Sequence, residues 1–256
     1  MSDGQPWGAG VAGHFGVIRT GQEVINDSAA SRRAAQVQHF SLFIGISPQD
    51  CRDIASAAHE QEYARRQTIY LEGDLVRNVV LLTSGSVKVV QFGRHGTEVI
   101  LRLDGPGEFV GTTGLCSKAR YGSRAQAVGV SKALVWDSTG FEALSQKFPM
   151  LRRNAAQILC RQLEDLEERF RLVSTEKVAA RLSHQLIRLV NRVGRSVDGT
   201  VEIGLSREEL AQLIGTTLFT VSRLLSDWDQ RGIVSARREA VSVRNMQALV
   251  ELSESE

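Results

Sequence analysis

Cysteine is scarce: Cys51, Cys116 and Cys160 lie far apart and form no CxxC pair. That argues against a disulfide framework or a structural zinc site, both of which need grouped thiols. The three are expected to be buried free thiols that pack as small apolar groups. A surplus of one charge is lacking too. With 31 Lys and Arg against 29 Asp and Glu, the net charge is +2, so any basic surface must be local. No apolar run approaches the roughly 20 residues of a membrane helix. The opening MSDGQPWGAG has neither the basic start nor the apolar segment of a secretory signal. The expectation is a cytoplasmic protein with no membrane partner. The β-rich stretch offers no paired carboxylates, no nucleophile beside a base and no phosphate loop, which argues against an enzyme.

What is present falls into four segments. Residues 1–38 are rich in Gly, Ser and Ala without a sustained period; they read as a largely flexible N-terminal extension, with a helical turn near Ser31–Val37. Residues 39–147 form the second segment. It begins with a helix in which Ser47 suits the N-cap, Pro48 the first turn and Asp50 the third position. From about Tyr63 to Leu144, short β segments such as Thr68–Leu71, Val79–Thr83, Ser86–Gln91 and Glu98–Leu103 alternate with Gly-containing turns. In VILRL, Val99, Leu101 and Leu103 alternate with Ile100 and Arg102, as a strand with one buried face requires. Many short strands at this spacing predict a β-sandwich or jelly roll.

Residues 148–174 are the third segment. Ala155, Leu159, Leu163, Leu166, Phe170 and Val173 recur at steps of three or four, with charges on the other faces. So narrow an apolar seam predicts pairing with another helix, hence a homodimer held by Leu159, Leu163, Leu166, Phe170 and Val173. Residues 175–256 make the fourth segment: a periodic helix carrying Val178, Ala179, Leu182, Leu186 and Leu189, a Gly-containing turn near 194–199, and two closely spaced helices. There, LSREELAQLIGTTLFTVSRLLSDW (205–228) opens with the capping box Ser206–Glu209. Leu210, Leu213 and Ile214 mark a buried face, and Ala211 permits a close crossing. Gly215 ends the helix where a left-handed residue is wanted. Thr217 caps a second helix that buries Val221, Leu224, Leu225 and Trp228. This is a helix-turn-helix.

The outer face of its second helix carries Thr217, Leu218, Phe219, Thr220, Ser222 and Arg223, residues suited to a major groove. Arg223 can donate twice to guanine, and Leu218 and Phe219 can meet thymine methyls. IVSARREAVSVR (233–244) reads as two short strands around a basic turn, with Arg237 and Arg238 placed for phosphate. Arg207 and Thr216 complete the expected DNA-contacting set. Between Thr175 and Arg244 there are eleven Lys and Arg against eight Asp and Glu, so the pattern rather than the charge makes this case.

The order of parts resembles the Crp/Fnr family of bacterial transcription regulators over roughly residues 40–245. The likeness is strongest in LEGDLVRNVVLLTSGSVKVV (71–90), GEFVG (107–111), SRAQAV (123–128) and STEKVAARLSHQLIRL (174–189). The resemblance implies an α+β chain: an N-terminal cyclic-nucleotide-binding-like β jelly roll as sensor, a long dimerisation helix, and a C-terminal winged helix-turn-helix. It also implies a homodimer reading double-stranded palindromic DNA, with RNA polymerase as a further partner if the protein is an activator. The effector pocket implied comprises Gly111, Thr112, Thr113, Cys116, Arg120, Ser123 and Arg124.

The departures from the family are specific. Members that bind cyclic AMP carry a Gly-Glu pair where this chain has Gly111, Thr112 and Thr113, so the ribose-binding carboxylate is missing and orthodox cyclic AMP control is not expected. Arg124 and Arg120 are the candidate phosphate cations. Residues 1–50 hold no Cys, which excludes the four-Cys iron–sulfur cluster of another branch. Haem stays open, although His14, His39, His59, His95 and His184 are scattered. Phe219 stands where relatives present a Glu that accepts from cytosine, an exchange that removes the acceptor. The alternative for Phe219 is packing back against the wing. The leading function is therefore a dimeric DNA-binding regulator whose sensor sets reader orientation, hinged near Ser174–Thr175. The alternative is a small-molecule or redox sensor acting through protein contacts.

Overall fold

The computed structural model describes residues 21–111, 119–197 and 199–254, and side-chain surroundings from residue 29 onward. The first helix, α1 (Gly21–Val37), leads through a short 3-10 turn at Ser41–Phe43 into α2 (Pro48–Ser56). The start of α2 follows its sequence signals: Ser47 Oγ accepts from the Asp50 N–H at 3.1 Å. Helix α1 corrects the reading of residues 1–38 as a flexible extension. From residue 21 the segment is helical, and Ala30, Ala34 and Val37 are buried. Its apolar stripe is built of small residues, which a search for large periodic hydrophobes passes over, while alanine favours the helix intrinsically. Residues 1–20 lie outside the described residues.

Among the described residues seven strands follow: β1 (His59–Tyr63), β2 (Thr68–Tyr70), β3 (Asn78–Ser84), β4 (Val87–Phe92), β5 (Glu98–Asp104), β6 (Arg124–Ala127) and β7 (Ser131–Asp137). They form two antiparallel sheets, ordered β1-β7-β3 and β2-β6-β4-β5. Residues of both sheets, Val80, Leu82 and Val135 from one and Val87, Ala125 and Ala127 from the other, share one apolar cluster, so the sheets face each other as a jelly roll. The opposite face of the three-stranded sheet is covered by α1, α2, α3 (Ser138–Lys147) and the start of α4 (Pro149–Thr175) around Leu81, Leu134 and Trp136. Trp136 Nε1 donates to the Ile54 carbonyl at 2.9 Å, and Asn154 Nδ2 donates to those of Leu42 and Ile44, tying the root of α4 to this layer.

Two expectations need correction here. In VILRL, Val99 is exposed whereas Ile100 is fully buried. A register shift between Val89 and Val90 interrupts the pairing of β4 with β5, and Ile100 turns toward the C-terminal helices instead of the jelly-roll interior. Cys51 is buried, and burial pushes its thiol pKa up, but Cys160 is exposed on the outer side of α4. Cys116 lies outside the described residues.

The chain then forms α5 (Val178–Val193), β8 (Arg195–Val197), β9 (Thr200–Ile203), α6 (Arg207–Ile214), α7 (Leu218–Gln230), β10 (Val234–Ala236), β11 (Val241–Val243) and α8 (Met246–Glu254). The turn expected near 194–199 is a hairpin, β8–β9. It extends the strand pair after α7 into one four-stranded sheet, β10-β11-β9-β8. No described helix is long and apolar enough to cross a membrane.

Candidate nucleic-acid interface and effector cavity

The Ser206 side chain accepts from the Glu209 N–H, and Glu209 reaches back to the Ser206 N–H at 2.9 Å, closing the capping box of α6. Gly215 ends that helix at φ +68°, the left-handed region that side chains resist. Thr217 Oγ1 then accepts from the Thr220 N–H at 3.2 Å and starts α7. Leu210, Ala211, Leu213 and Ile214 of α6 are buried together with Val221, Leu225 and Trp228 of α7, while Leu224 is half-buried. Both ends of the turn are thus fixed by local hydrogen bonds and both helices by one core.

With that side buried, the opposite side of α7 faces outward. Thr217, Leu218, Phe219 and Arg223 are exposed, and Thr216, Thr220 and Ser222 are half-buried. Phe219 is 78% exposed, so it is not folded back against the wing. A groove of about 610 Å³ runs between α7 and the β10–β11 turn, lined by Ser206, Arg207, Leu218, Ser222, Arg237 and Arg238 among others. Among the described residues, Arg207 Nε is buried without a hydrogen-bond partner. The wing is held from two sides. Arg237 stands 3.8 Å from Glu202, and Glu239 pairs with Arg65 of the jelly roll at 2.8 Å. A guanidinium at the tip of an apolar ridge, flanked by basic turn residues, can donate to base edges and phosphates at once.

Along α4, Leu163, Leu166, Phe170 and Val173 are exposed and Leu159 is half-buried, leaving one apolar stripe on an otherwise charged helix. The helix stops at Thr175. Glu176 and Lys177 are extended, and the hydroxyls of Ser174 and Thr175 donate to the carbonyls of Phe170 and Arg171. The break therefore falls one to two residues beyond Ser174–Thr175.

A cavity of about 420 Å³ lies between α4, the β4–β5 hairpin, α5 and α6. Of the residues named for an effector pocket, Gly111 and Ser123 line it; Thr112, Thr113 and Cys116 lie outside the described residues. Arg124 is not in its wall and donates to Thr68 Oγ1, and Arg120 donates to the Gly73 carbonyl, so neither cation faces the cavity. Gly111 cannot be enlarged, because at φ +91° an added Cβ would stand 2.9 Å from the Tyr70 hydroxyl.

Four lining arginines, Arg102, Arg169, Arg188 and Arg192, escaped the sequence reading. Arg169 lines the cavity from α4 together with Leu159, Gln162 and Leu166, at steps of three and four that helical periodicity could have revealed. Arg188 and Arg192 come from α5 and reach the site only through folding. Burial, together with Arg188 and Arg192, lowers the pKa of Arg169 to about 10.

Two family models match the chain: a cyclic nucleotide-binding domain over residues 60–148 and a Crp-like helix-turn-helix domain over residues 180–252. The chain is similar to the cyclic AMP receptor protein of Thermus thermophilus, 29% identical over 212 residues that cover 83% of this chain and 96% of the relative. It is similar also to the CRP-like cAMP-activated global transcriptional regulator of Mycobacterium tuberculosis, 23% identical over 81% of this chain and 94% of that one. In fold it is similar to FixK2 from Bradyrhizobium japonicum, with a TM-score of 0.68 at 23% identity, covering 78% of this chain and 98% of that structure.

Proposed function

From a chain that belongs to the Crp/Fnr family of transcription regulators, a family of regulators rather than enzymes, we propose a homodimer that reads palindromic double-stranded DNA through α7 and its wing. The observation that carries this is the outward ridge of Thr217, Leu218, Phe219, Ser222 and Arg223, capped at its base and backed by a complete core. The exposed stripe on α4 is the surface that would duplicate the ridge, placing half-sites about one helical turn apart.

Control by reader orientation is supported by the contacts that cross between the jelly roll and the reader: Lys88–Glu209, Arg65–Glu239 and Arg192–Glu108. A small-molecule effector in the sensor domain would shift that equilibrium by binding one orientation better. RNA polymerase is the further partner if the protein activates, and a cytoplasmic location follows from the function. The test is selection from random duplex DNA with the purified full-length protein, followed by mobility shift. The expected result is enrichment of a two-fold symmetric site. Recovery of no preferred sequence would overturn the proposal.

A further inference from the structure

The last turn of α5 rests on a short loop, DGPGE (104–108), at the end of β5. A Cβ added at Gly105 would stand 2.6 Å from the Arg192 carbonyl oxygen and 3.2 Å from Val193 Cγ1. Any side chain there would collide with the backbone of α5, so only glycine permits the approach. The loop is anchored on its sensor side. Asp104 is fully buried and accepts from Arg102 at 2.6 and 3.2 Å. The Gly107 N–H donates to the Leu82 carbonyl, and the Leu82 N–H donates to that of Glu108. One Glu108 oxygen accepts from the Gly105 N–H at 2.7 Å.

The other Glu108 oxygen faces the reader. Arg192 Nη2 lies 2.7 Å from Glu108 Oε1 and 2.7 Å from Asp165 Oδ2, and Arg188 Nη2 lies 2.6 Å from Asp165 Oδ1. Asp104 and Arg169 are within electrostatic reach of the same group. One guanidinium thus joins a sensor loop, the stalk and the first helix of the reader. It sits at the far end of a lever. Helix α4 ends at Thr175, Lys177 is extended and α5 begins at Val178, which puts Arg192 about 21 Å along the helix from its start.

The other contacts between the halves are of two kinds. Ile100 and Leu103 share a core with Leu182, Leu186 and Leu210, and apolar burial is non-directional, so it holds the halves together without fixing their angle. The remaining polar contacts, Lys88–Glu209, Arg65–Glu239 and Arg169 to the Leu213 carbonyl, reach α6 and the wing rather than α5. We propose that Arg192, seated between Glu108 and Asp165 and backed by Gly105, is a clamp that holds the far end of α5 down and so sets the orientation of the reader. Opening it frees α5 to swing about Glu176–Lys177. Sensor and stalk each hold one of the two carboxylates, so a shift of one against the other loosens the clamp. This supplies the device for the orientation control given above and rests on that reading.

The test is hydroxyl-radical footprinting of the full-length protein without DNA, read by mass spectrometry. Buried side chains are oxidised only when their cover lifts, so the rate follows the open population. R192Q and E108Q are each expected to speed oxidation of Leu103 and Leu189 about tenfold, the loss of one charge-assisted contact. E108Q keeps an acceptor for the Gly105 N–H while removing the charge. G105A should give the same footprint, although it removes no charge and acts only through the collision. The double variant E108Q/R192Q should be oxidised no faster than R192Q, because both changes break one pair. E62Q breaks the Lys132–Glu62 pair on the jelly roll and should leave the footprint unchanged. If G105A does not fold, the charge variants and their double decide. Unchanged oxidation of Leu103 and Leu189 in R192Q, additive effects in the double variant, or an equal rise at Trp136 and Phe141 overturns the proposal, the last because it marks a general loss of stability. With no DNA present, such a failure leaves the DNA-selection result untouched, and a failed selection leaves this result untouched.

Discussion

Arg223 and Phe219 stand one turn apart on the exposed side of α7 and make opposite demands on a base pair. A guanidinium donates in pairs to guanine, whereas a phenyl ring can neither donate nor accept and gains only from an apolar partner such as a thymine methyl. R223A should therefore weaken operator binding by about 1–3 kcal/mol and relax one base position. F219E, which restores an acceptor, should move the selected half-site toward cytosine at the adjacent position. Both are read by mobility shift on single-base operator variants; unchanged discrimination in both would remove α7 from the interface. A second residue-scale prediction concerns Asp137, the N-cap of α3. The Thr139 hydroxyl and the Gly140 N–H donate to its carboxylate and hold its pKa below the ordinary aspartate value. The folded state then binds fewer protons than the unfolded chain, so this contribution is present above the unfolded pKa and is lost as pH falls through the folded one. The denaturation-midpoint gap between wild type and D137A should be wide at neutral pH and narrow in acid. A gap independent of pH would contradict it.

Among the elements, α4 carries the strongest claim. Its root is fixed by Asn154 and by Leu151, Ala155 and Ile158, yet further along Leu163, Leu166, Phe170 and Val173 present apolar surface to solvent. Spaced at three and four residues, they form the seam by which helices pair. F170D would place a charge in the middle of that seam, and sedimentation should show the variant as a monomer with unchanged helix content by circular dichroism. A wild-type monomer would remove the dimer, and a dimeric F170D would locate the interface elsewhere. Elements that write their own ends and faces were legible in the sequence. Ser47, Ser206, Gly215 and Thr217 each cap or end a helix as their residue types suggest, through short-range hydrogen bonds. Elements whose burial depends on distant surfaces were not. Helix α1 buries alanines against α2 and its neighbours, and the buried phase of β5 is set by where the C-terminal helices lie.

At the scale of the whole molecule, the sensor and the reader are joined through one core. Val90, Ile100 and Leu103 of the jelly roll belong to the same buried cluster as Leu182, Leu186, Leu210, Leu213 and Trp228 of the reader. No local signal in the sequence marks this junction, and for the same reason Arg188 and Arg192 could not be assigned to the cavity before the fold was known. The shared core has a thermodynamic consequence. Two domains that bury each other's apolar surface unfold together, because exposing one removes stabilisation from the other. Wild type should therefore show a single calorimetric transition. I100A deletes side-chain volume where the two halves meet, should cost about 2–5 kcal/mol, and should separate the transition into two. V80A removes methyl groups within the jelly roll alone, so it should lower the transition temperature without splitting it. If I100A still unfolds in one step at a temperature lowered no further than in V80A, the junction is not a coupling element. The orientation of the reader would then be held by the surrounding ion pairs, and raising the ionic strength would release it.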